Sequence, residues 1–222
     1  MLAALDRFNA RHPWSHNDLY TPLVLLHARR VRRAGGTLAV DVGCGTGHLL
    51  RSLAPVMPAV HGIEADAPTA ATAAAALTDL PHVVVEHAPF TTLPERSADL
   101  VTLVAVLHHL PLDTALQAVR SALRPRGRLV VVGAYREVAA DRPLSLLSLV
   151  LNPLIGFLRH PRTASAPPQH MTAPTKAPAE TFDEVASVMR QELPGVRIHR
   201  ALFWRYVAVW TAPELGGERI GR

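Results

Sequence analysis

Residues 38–49 read Leu-Ala-Val-Asp-Val-Gly-Cys-Gly-Thr-Gly-His-Leu, an apolar run that ends at Asp41 and is followed by a turn containing Gly43, Gly45 and Gly47. Glycines let the backbone bend sharply and approach a ligand closely, because they have no Cβ atom. The helical pattern that begins in this turn would direct unpaired N–H groups and a positive dipole end toward an anionic group. The stretch therefore predicts a strand, a tight loop and a helix that bind a nucleotide-like ligand.

The spacing of the glycines distinguishes this loop from two other nucleotide-binding loops. The dinucleotide fingerprint G-x-G-x-x-G would place its third glycine at His48, and the Lys-Ser/Thr pair of a Walker A loop does not follow. The pattern Asp41-x-Gly43-x-Gly45-x-Gly47 instead resembles the first motif of the Rossmann-like S-adenosylmethionine-dependent methyltransferases. A purely structural turn between strand and helix is the alternative interpretation.

The resemblance implies an α/β fold: a Rossmann-like, seven-stranded, mostly parallel sheet of order 3-2-1-4-5-7-6 with helices on both faces. Candidate strands lie at 59–65, 81–87 and 99–107. The last of these is almost continuously apolar, which is typical of a parallel strand buried on both faces. The sequence "LRPRGRLVVVG", residues 123–133, resembles the family's turn and strand written L(K/R)PGG, and a helix followed by a hairpin is expected within 179–212.

Glu64 ends the second candidate strand, about twenty residues past the glycine loop. An acid at this position accepts hydrogen bonds from ribose hydroxyls in nucleotide-binding folds. The alternative interpretation is that Glu64 is a solvated residue at the end of a strand. The family commonly has another acid after its third strand, whereas this chain has His87, Ala88 and Pro89, so backbone groups would contact the adenine. The cofactor-binding residues that the resemblance implies are Asp41, Gly43, Cys44, Gly45, Gly47, Glu64, Ala65, Ala88 and Ala105.

His108 and His109 directly follow the apolar run 99–107. Open α/β sheets bind ligands at the carboxyl ends of their strands, and a neutral imidazole can accept a proton near pH 7. The pair is therefore the candidate for a general base, with the two side chains pointing in opposite directions from an extended segment. A pocket-shaping role is the alternative interpretation.

The N-terminal residues 1–36 are expected to form a helical cap in front of the methyltransferase domain, 37–222. Resemblance to small-molecule methyltransferases, in which such a segment closes over the site, suggests that His16, Asn17 or Tyr20 faces the pocket. A capping segment on the surface is an equally open interpretation.

An insertion is expected at about 138–178. The apolar residues of its first half, Leu144 to Leu158, follow no single helical stripe and are interrupted by Asn152 and Pro153. This pattern predicts burial on several sides, as a lid or pocket wall. A dimer contact or an interfacial membrane helix is the second interpretation, since the segment is shorter than the roughly twenty residues of a membrane span.

Composition adds few constraints on function. The 222 residues suit one domain, and the net charge is +5. Of the 23 lysine and arginine residues only Lys176 is lysine, and the arginines cluster in 29–33 and 120–128, which we interpret as solvated faces, not a nucleic-acid surface. Cys44 is the one cysteine, which excludes an intrachain disulfide and favours a small filler beside the cofactor. The N-terminal sequence shows no secretory signal, so a cytoplasmic location is expected.

The sequence thus predicts an enzyme that transfers a methyl group from S-adenosylmethionine to a small hydrophobic metabolite, with no metal ion and no nucleic-acid partner. Amino-methylating nucleic-acid enzymes carry (D/N)PP(Y/F) after the fourth strand, where this chain has Leu107-His-His-Leu110, and a cytosine-C5 enzyme needs a cysteine nucleophile other than Cys44. The alternatives are an RNA-directed methyltransferase and a non-catalytic cofactor-binding partner protein. The acceptor atom is left open, and so is the choice between monomer and homodimer.

Overall fold

The computed structural model describes residues 8–9, 11–90, 93–163 and 176–214. Within these ranges the strands are β1 (Leu38–Val42), β2 (Ala59–Glu64), β3 (Val83–His87), β4 (Ala98–Val104), β5 (Leu123–Ala134), β6 (Arg197–Ala201) and β7 (Arg205–Thr211). The α-helices are α1 (Thr21–Arg33), α2 (His48–Leu53), α3 (Ala67–Ala76), α4 (Leu112–Ala122), α5 (Arg142–Arg159) and α6 (Phe182–Glu192). Short 3-10 turns lie at His16–Leu19, Leu107–His109 and Ala139–Asp141.

The seven strands form one sheet in the order β3-β2-β1-β4-β5-β7-β6. Strands β1 to β5 are parallel, and β7 runs antiparallel to both of its neighbours, β5 and β6. The predicted fold class and strand order are therefore confirmed. The glycine loop follows β1 at the point where the strand order reverses, which is where open α/β sheets bind their ligands.

Helices cover both faces of the sheet, because its central strands are apolar on both sides. Leu100 and Val101 are successive residues of β4 and both are fully buried. Leu100 packs in the cluster that includes α1 and α2, whereas Val101 packs in the cluster that includes α4 and α6. This two-sided burial explains why the sequence of β4 is continuously apolar instead of alternating.

The prediction for the end of β4 is wrong. The apolar run continues to Leu107, but the strand ends at Val104 because Ala105 adopts a left-handed conformation with φ 57°. The N–H of Ala105 still donates to the carbonyl of Val132 on β5 at 2.7 Å, and the chain then turns into the 3-10 turn that contains His108. An alanine gives no sequence signal for this turn, since left-handed residues are usually glycine or asparagine.

The hairpin of β6 and β7 supplies a side chain to the ligand-binding edge of the sheet. Its turn contains Phe203 and Trp204, both with positive φ, and β7 then runs back beside β5. Arg205, the first residue of β7, pairs with Ala134, the last residue of β5. The antiparallel strand thus begins where the parallel strands end.

The prediction for the insertion is also wrong, because its apolar residues are not buried on several sides. Residues 142–159 form a single helix, α5, on which Leu146, Val150 and Leu158 are 64–69% exposed. The inward face carries small residues instead, Ser145, Ser148 and Gly156 (all buried). A Cβ atom at Gly156 would lie 2.8 Å from the carbonyl oxygen of His12. Close backbone approach therefore explains a buried face that is less apolar than the exposed one.

Parts of the predicted cap and insertion, residues 1–7, 10 and 164–175, lie outside the described residues. Among the residues that are described, no helix is both long enough and apolar enough to cross a membrane.

Candidate active site

A cavity of about 560 Å³ lies at the carboxyl ends of β1, β2 and β4. Its walls come from the loops after these strands and after β3, from the N-terminal segment 14–24, and from Arg205. Two of the predicted site residues, Gly47 and His108, are not in its lining. Those that line it are Asp41, Gly43, Cys44, Gly45, Glu64, Ala65, Ala88, Ala105, His109, His16, Asn17 and Tyr20.

The three glycines of the loop serve different purposes, although all have positive φ. A Cβ atom at Gly43 would clash with the side chain of Val106, and one at Gly47 would lie 2.8 Å from Cδ1 of Leu77. A Cβ atom at Gly45 would meet no heavy atom within 4 Å, and this residue lines the cavity. Gly43 and Gly47 are therefore required by packing inside the protein, whereas Gly45 leaves space for a ligand.

Glu64 is held in place by two backbone donors. Its Oε2 atom accepts the N–H of Gly45 at 2.9 Å, and its Oε1 atom accepts the N–H of Asp66 at 3.0 Å. An ionised carboxylate offers about four acceptor positions, so each oxygen can accept a further hydrogen bond from the cavity. This arrangement suits the two hydroxyls of a ribose.

Asp41 lies at the floor of the cavity and is only 2% exposed. Its Oδ1 atom accepts the hydroxyl of Thr102 at 2.6 Å. Burial raises the pKa of Asp41 to about 7, the hydrogen bond from Thr102 opposes that rise, and the charge of Glu64 adds to it. Because this pKa lies near neutral pH, a cationic ligand would shift the carboxyl group to its ionised form, since opposite charges favour that form.

Cys44 acts as filler in the loop. Its Sγ atom lies where a Cβ atom at Gly62 would approach to 2.8 Å, so the thiol occupies the space beside β2. Burial, and then the charges of Asp41 and Glu64, raise the pKa of the thiol far above its ordinary value. A protonated, buried thiol is a poor nucleophile.

His108 and His109 lie in a 3-10 turn and not on an extended segment, so the expectation that they point in opposite directions is wrong. Their ring centroids are 4.3 Å apart. His109 lines the cavity, whereas Nδ1 of His108 is buried and has no hydrogen-bond partner within the described ranges. Burial, followed by the neighbouring His109, lowers the pKa of His108 to about 4, and burial also lowers the pKa of His109. Both rings are therefore neutral at pH 7.

Segment 14–20 is fastened to α5. The Oδ1 atom of Asn152 accepts the indole N–H of Trp14 at 2.9 Å and lies 3.0 Å from Nε2 of His16. The ring of His16 also stacks on Phe203 with a centroid distance of 4.8 Å. No described residue of the insertion lines the cavity, and α5 lies behind the wall and positions residues that do.

The same segment is fastened to the β6–β7 hairpin. The hydroxyl of Tyr20 donates to the carbonyl of Leu202 at 2.7 Å. The Oδ1 atom of Asn17 accepts Nε–H of Arg205 at 3.1 Å. His16, Asn17 and Tyr20 are thereby brought together at one end of the cavity.

Sequence reasoning missed two residues of this wall. Arg205 is a charged residue at the start of a strand whose next five positions read Tyr-Val-Ala-Val-Trp, and this contrast was the available signal. Trp14 is the other residue, and its sequence neighbourhood gives no signal of its role. Its contact with Asn152 spans 138 residues of sequence, and local periodicity cannot reveal such a contact.

Comparison with known proteins decides the family. A family model described as "Methyltransferase domain" matches residues 40–131. An uncharacterized methyltransferase of Mycobacterium tuberculosis is 30% identical over 204 residues, which cover 90% of this chain and 98% of that protein. The chain belongs to the methyltransferase family.

Two further comparisons place this methyltransferase among known ones. It is 32% identical over 151 residues to the ubiquinone biosynthesis O-methyltransferase of Cupriavidus pinatubonensis, covering 61% of this chain and 60% of that protein. The solved structure of the S-adenosylmethionine-dependent methyltransferase SibL aligns with a TM-score of 0.59 at 18% identity, covering 89% of this chain and 55% of that one. The second likeness concerns the fold alone.

S-adenosylmethionine is the cofactor that the motif Asp41-x-Gly43-x-Gly45-x-Gly47 predicts for this methyltransferase. Three observations show that the residues of the cavity fit this molecule. The space beside Gly45 is open, the carboxylate of Glu64 has acceptor capacity directed at the cavity, and Asp41 can supply a negative charge to a ligand that carries a cationic sulfonium and an ammonium group.

Proposed function

We propose that this methyltransferase methylates a small hydrophobic metabolite in the cavity that segment 14–20 covers. The observation that carries the proposal is the composition of the wall beyond the glycine loop. Trp14, Tyr20, Phe90, Val106 and Leu110 line it. Cavities with mostly apolar walls and a few polar groups are typical of small-molecule sites.

Residues of this chain divide the cavity between cofactor and acceptor. We propose that Gly45 and Glu64 hold the nucleoside part of the cofactor, with Asp41 near its cationic part and the backbone at Ala88 near its base. S-adenosylmethionine, when bound, supplies a methyl group that its sulfonium already activates. The protein therefore needs to align the acceptor and exclude water, and alignment alone can contribute several kcal/mol.

The N-terminal segment is proposed to perform that exclusion. Tyr20 is tied to the hairpin and Trp14 to α5, so the cover of the cavity is fixed at both of its ends. We assign this role to the predicted cap, residues 1–36. Helix α5 of the insertion supports the cover through the hydrogen bond between Trp14 and Asn152. A fixed cover keeps an apolar acceptor in one orientation.

His109 is the proposed general base where the acceptor arrives protonated. It lines the cavity, and a neutral imidazole can take a proton at pH 7. His108 is proposed to support the turn, because its Nδ1 atom is buried and its ring packs against that of His109 outside the cavity lining.

The second arginine cluster supports the prediction that nucleic acid is not the substrate. Arg120 donates to the backbone carbonyl at the end of α6, Arg124 pairs with Asp99 at 2.8 Å, and Arg128 contacts His27 at 2.9 Å. These guanidinium groups already have partners inside the protein.

The cytoplasmic location and the choice between monomer and homodimer stay predictions.

Mass spectrometry tests the proposal. The protein is incubated with S-adenosylmethionine and a panel of phenols, quinols, aromatic acids and short RNAs, and products are searched for the gain of one CH₂ unit. We expect a small aromatic or aliphatic compound to be methylated and S-adenosylhomocysteine to accumulate in equal amount. Methylation of RNA alone would support the RNA-directed alternative. Cofactor binding without any turnover would support a non-catalytic partner protein.

A further inference from the structure

Arg205 carries a positive charge into the wall of the cavity. It is the one arginine or lysine among the described residues that line the cavity. Its Nε–H donates to Oδ1 of Asn17 at 3.1 Å, and its Nη1 donates to the carbonyl of Phe203 at 3.4 Å. Both acceptors are neutral, and no aspartate or glutamate of the described ranges forms an ion pair with this guanidinium.

The guanidinium has donor capacity to spare. Arginine has five N–H groups, and the two hydrogen bonds of Arg205 use one on Nε and one on Nη1. The Nη2 edge has no partner among the described residues and belongs to a side chain of the cavity wall. The hydroxyl of Tyr20 cannot donate to an anion placed there without leaving the carbonyl of Leu202, and Arg205 is the permanently charged donor of this wall.

A cation removed from water without a counter-ion is unfavourable. Burial is the first cause that lowers the pKa of Arg205, yet arginine stays protonated at neutral pH. Two other half-buried arginines are paired with carboxylates, Arg124 with Asp99 and Arg200 with Asp141, each at 2.8 Å, and a third, Arg128, contacts His27. The absence of such a partner at Arg205, within the described residues, points to a ligand that brings the negative charge.

The position of Arg205 assigns that charge to the acceptor and not to the cofactor. Glu64 ends β2 and Arg205 begins β7, four strands further along the sheet. At about 4.8 Å per strand this separation is roughly 19 Å. Three of the four carboxylates that line the cavity, Asp41, Glu64 and Asp66, belong to β1, to β2 and to the loop after β2, and the fourth, Asp18, lies 3.7 Å from His48 at the start of α2. The cavity thus has an acidic end at β1 and β2 and a basic end at β7.

We infer that Arg205 determines acceptor specificity by pairing with a carboxylate on an aromatic acceptor, whose ring lies against the apolar wall formed by Trp14, Phe90, Val106 and Leu110. The planar fork of a guanidinium matches a carboxylate in a bidentate pair. Asn17 is the positioning residue, since its side-chain oxygen holds Nε of Arg205. This inference rests on the proposed function, and it narrows the substrate class to aromatic acids.

Equilibrium binding of matched acid and amide pairs tests the inference without knowledge of the natural acceptor. The probes are 1-hydroxy-2-naphthoate with its carboxamide and 4-hydroxybenzoate with its carboxamide, titrated calorimetrically into protein with and without saturating S-adenosylhomocysteine. We expect an acid to bind about 10- to 100-fold more tightly than its amide, the factor that corresponds to one hydrogen-bonded charge. Arg205→Gln should remove this ratio, and Arg205→Lys should keep part of it.

Two controls separate recognition from folding and from cofactor binding. Arg197→Gln removes an exposed arginine of the same hairpin and should leave the acid-to-amide ratio unchanged. The Kd of S-adenosylhomocysteine should stay within about twofold in Arg205→Gln. Should that variant fail to fold, Asn17→Ala replaces it, with a smaller loss of the same ratio expected.

Three results would overturn the inference. They are equal binding of acid and amide by the unaltered protein, no binding of any acid in the presence of S-adenosylhomocysteine, and a loss of S-adenosylhomocysteine affinity in Arg205→Gln that matches the loss for acids. The last would assign Arg205 to the carboxylate of the cofactor. Acid binding that depends on Arg205 in a protein that does not bind S-adenosylhomocysteine would support the inference and refute the proposed cofactor site.

Discussion

The N–H of Gly45 donates to Oε2 of Glu64 at 2.9 Å, so the middle of the glycine loop and the acid at the end of β2 form one unit. The other oxygen of Glu64 accepts the N–H of Asp66, which is the N-cap residue of α3. One carboxylate therefore fixes the loop after β1 relative to the loop after β2. These two loops form the acidic end of the cavity.

Replacing Glu64 should weaken cofactor binding more than it weakens folding. We expect Glu64→Ala to raise the Kd of S-adenosylhomocysteine by an amount equal to roughly 1.5–3 kcal/mol, the scale of hydrogen bonds to a charged group. Isothermal titration calorimetry measures the change. Glu86→Gln on the neighbouring strand, whose carboxylate contacts His61 at 3.0 Å outside the cavity, is the control. An unchanged Kd in Glu64→Ala would show that the ribose lies elsewhere.

Gly45 and Gly195 form a matched pair for a test of the loop. Both have positive φ, and a Cβ atom at either would meet no heavy atom within 4 Å. Alanine at each should therefore cost a similar 1–2 kcal/mol of stability, about the penalty of a left-handed non-glycine residue. Only Gly45→Ala should also weaken S-adenosylhomocysteine binding, by at least about tenfold, because only Gly45 lines the cavity. Thermal unfolding and calorimetry on both variants check this, and equal binding by the two would remove the loop from the site.

The affinity for S-adenosylmethionine should depend on pH near neutrality. Burial raises the pKa of Asp41 to about 7 in the free protein, and a cationic ligand favours the ionised carboxylate. Below pH 7 binding must therefore release a proton, so the Kd should increase as the pH falls from 8 to 6, by at most about tenfold per unit. Calorimetry in buffers of different ionisation enthalpy counts the proton.

Asp41→Asn should bind S-adenosylmethionine with little pH dependence in this window. Asp113→Asn, which changes a carboxylate in the first turn of α4, should retain the full dependence. A pH dependence that survives in Asp41→Asn would assign the titration to another group.

The adjacent histidines should differ in their effect on catalysis. If the acceptor loses a proton, we expect His109→Ala to lower kcat by about 10²–10⁴-fold, because this ring lines the cavity. His108→Ala should mainly reduce stability, since it removes a half-buried ring that packs against His109 and does not line the cavity. Steady-state kinetics on the first acceptor found, with the cofactor Kd as control, measures both effects. A larger fall of kcat in His108→Ala than in His109→Ala would reverse the assignment.

The part of the fold that could be predicted is the part with local signals. The glycine loop, the apolar strands and Glu64 lie within one stretch of sequence, and their spacing matches a known motif, so the strand order followed. The carboxyl end of β4 could not be predicted from the sequence, because the residue that ends the strand in a left-handed conformation is Ala105 and not a typical turn residue. The apolar pattern alone extends the predicted strand to Leu107, three residues beyond its observed end at Val104.

The packing of α5 behind the cavity wall could not be predicted for a different reason. The face of α5 that packs inward consists of Ser145, Ser148 and Gly156, which hydropathy assigns to the surface. The hydroxyl of Ser148 accepts the N–H of Phe203 at 2.8 Å, a bond between residues 55 positions apart. Contacts of this kind depend on tertiary structure, and single-sequence patterns contain no record of them.

The bond between Asn17 and Arg205 joins residues 188 positions apart, and that between Tyr20 and Leu202 joins residues 182 apart. The acidic end of the cavity, by contrast, comes from residues between Asp41 and Asp66. Chains are synthesised from the N-terminus at about 5–20 residues per second, so the acidic end has left the ribosome well before Arg205 is added. The acceptor recognition proposed for Arg205 therefore depends on a part of the chain that is synthesised after the acidic end, and Asn17 and Tyr20 have no β6–β7 hairpin to bind until then.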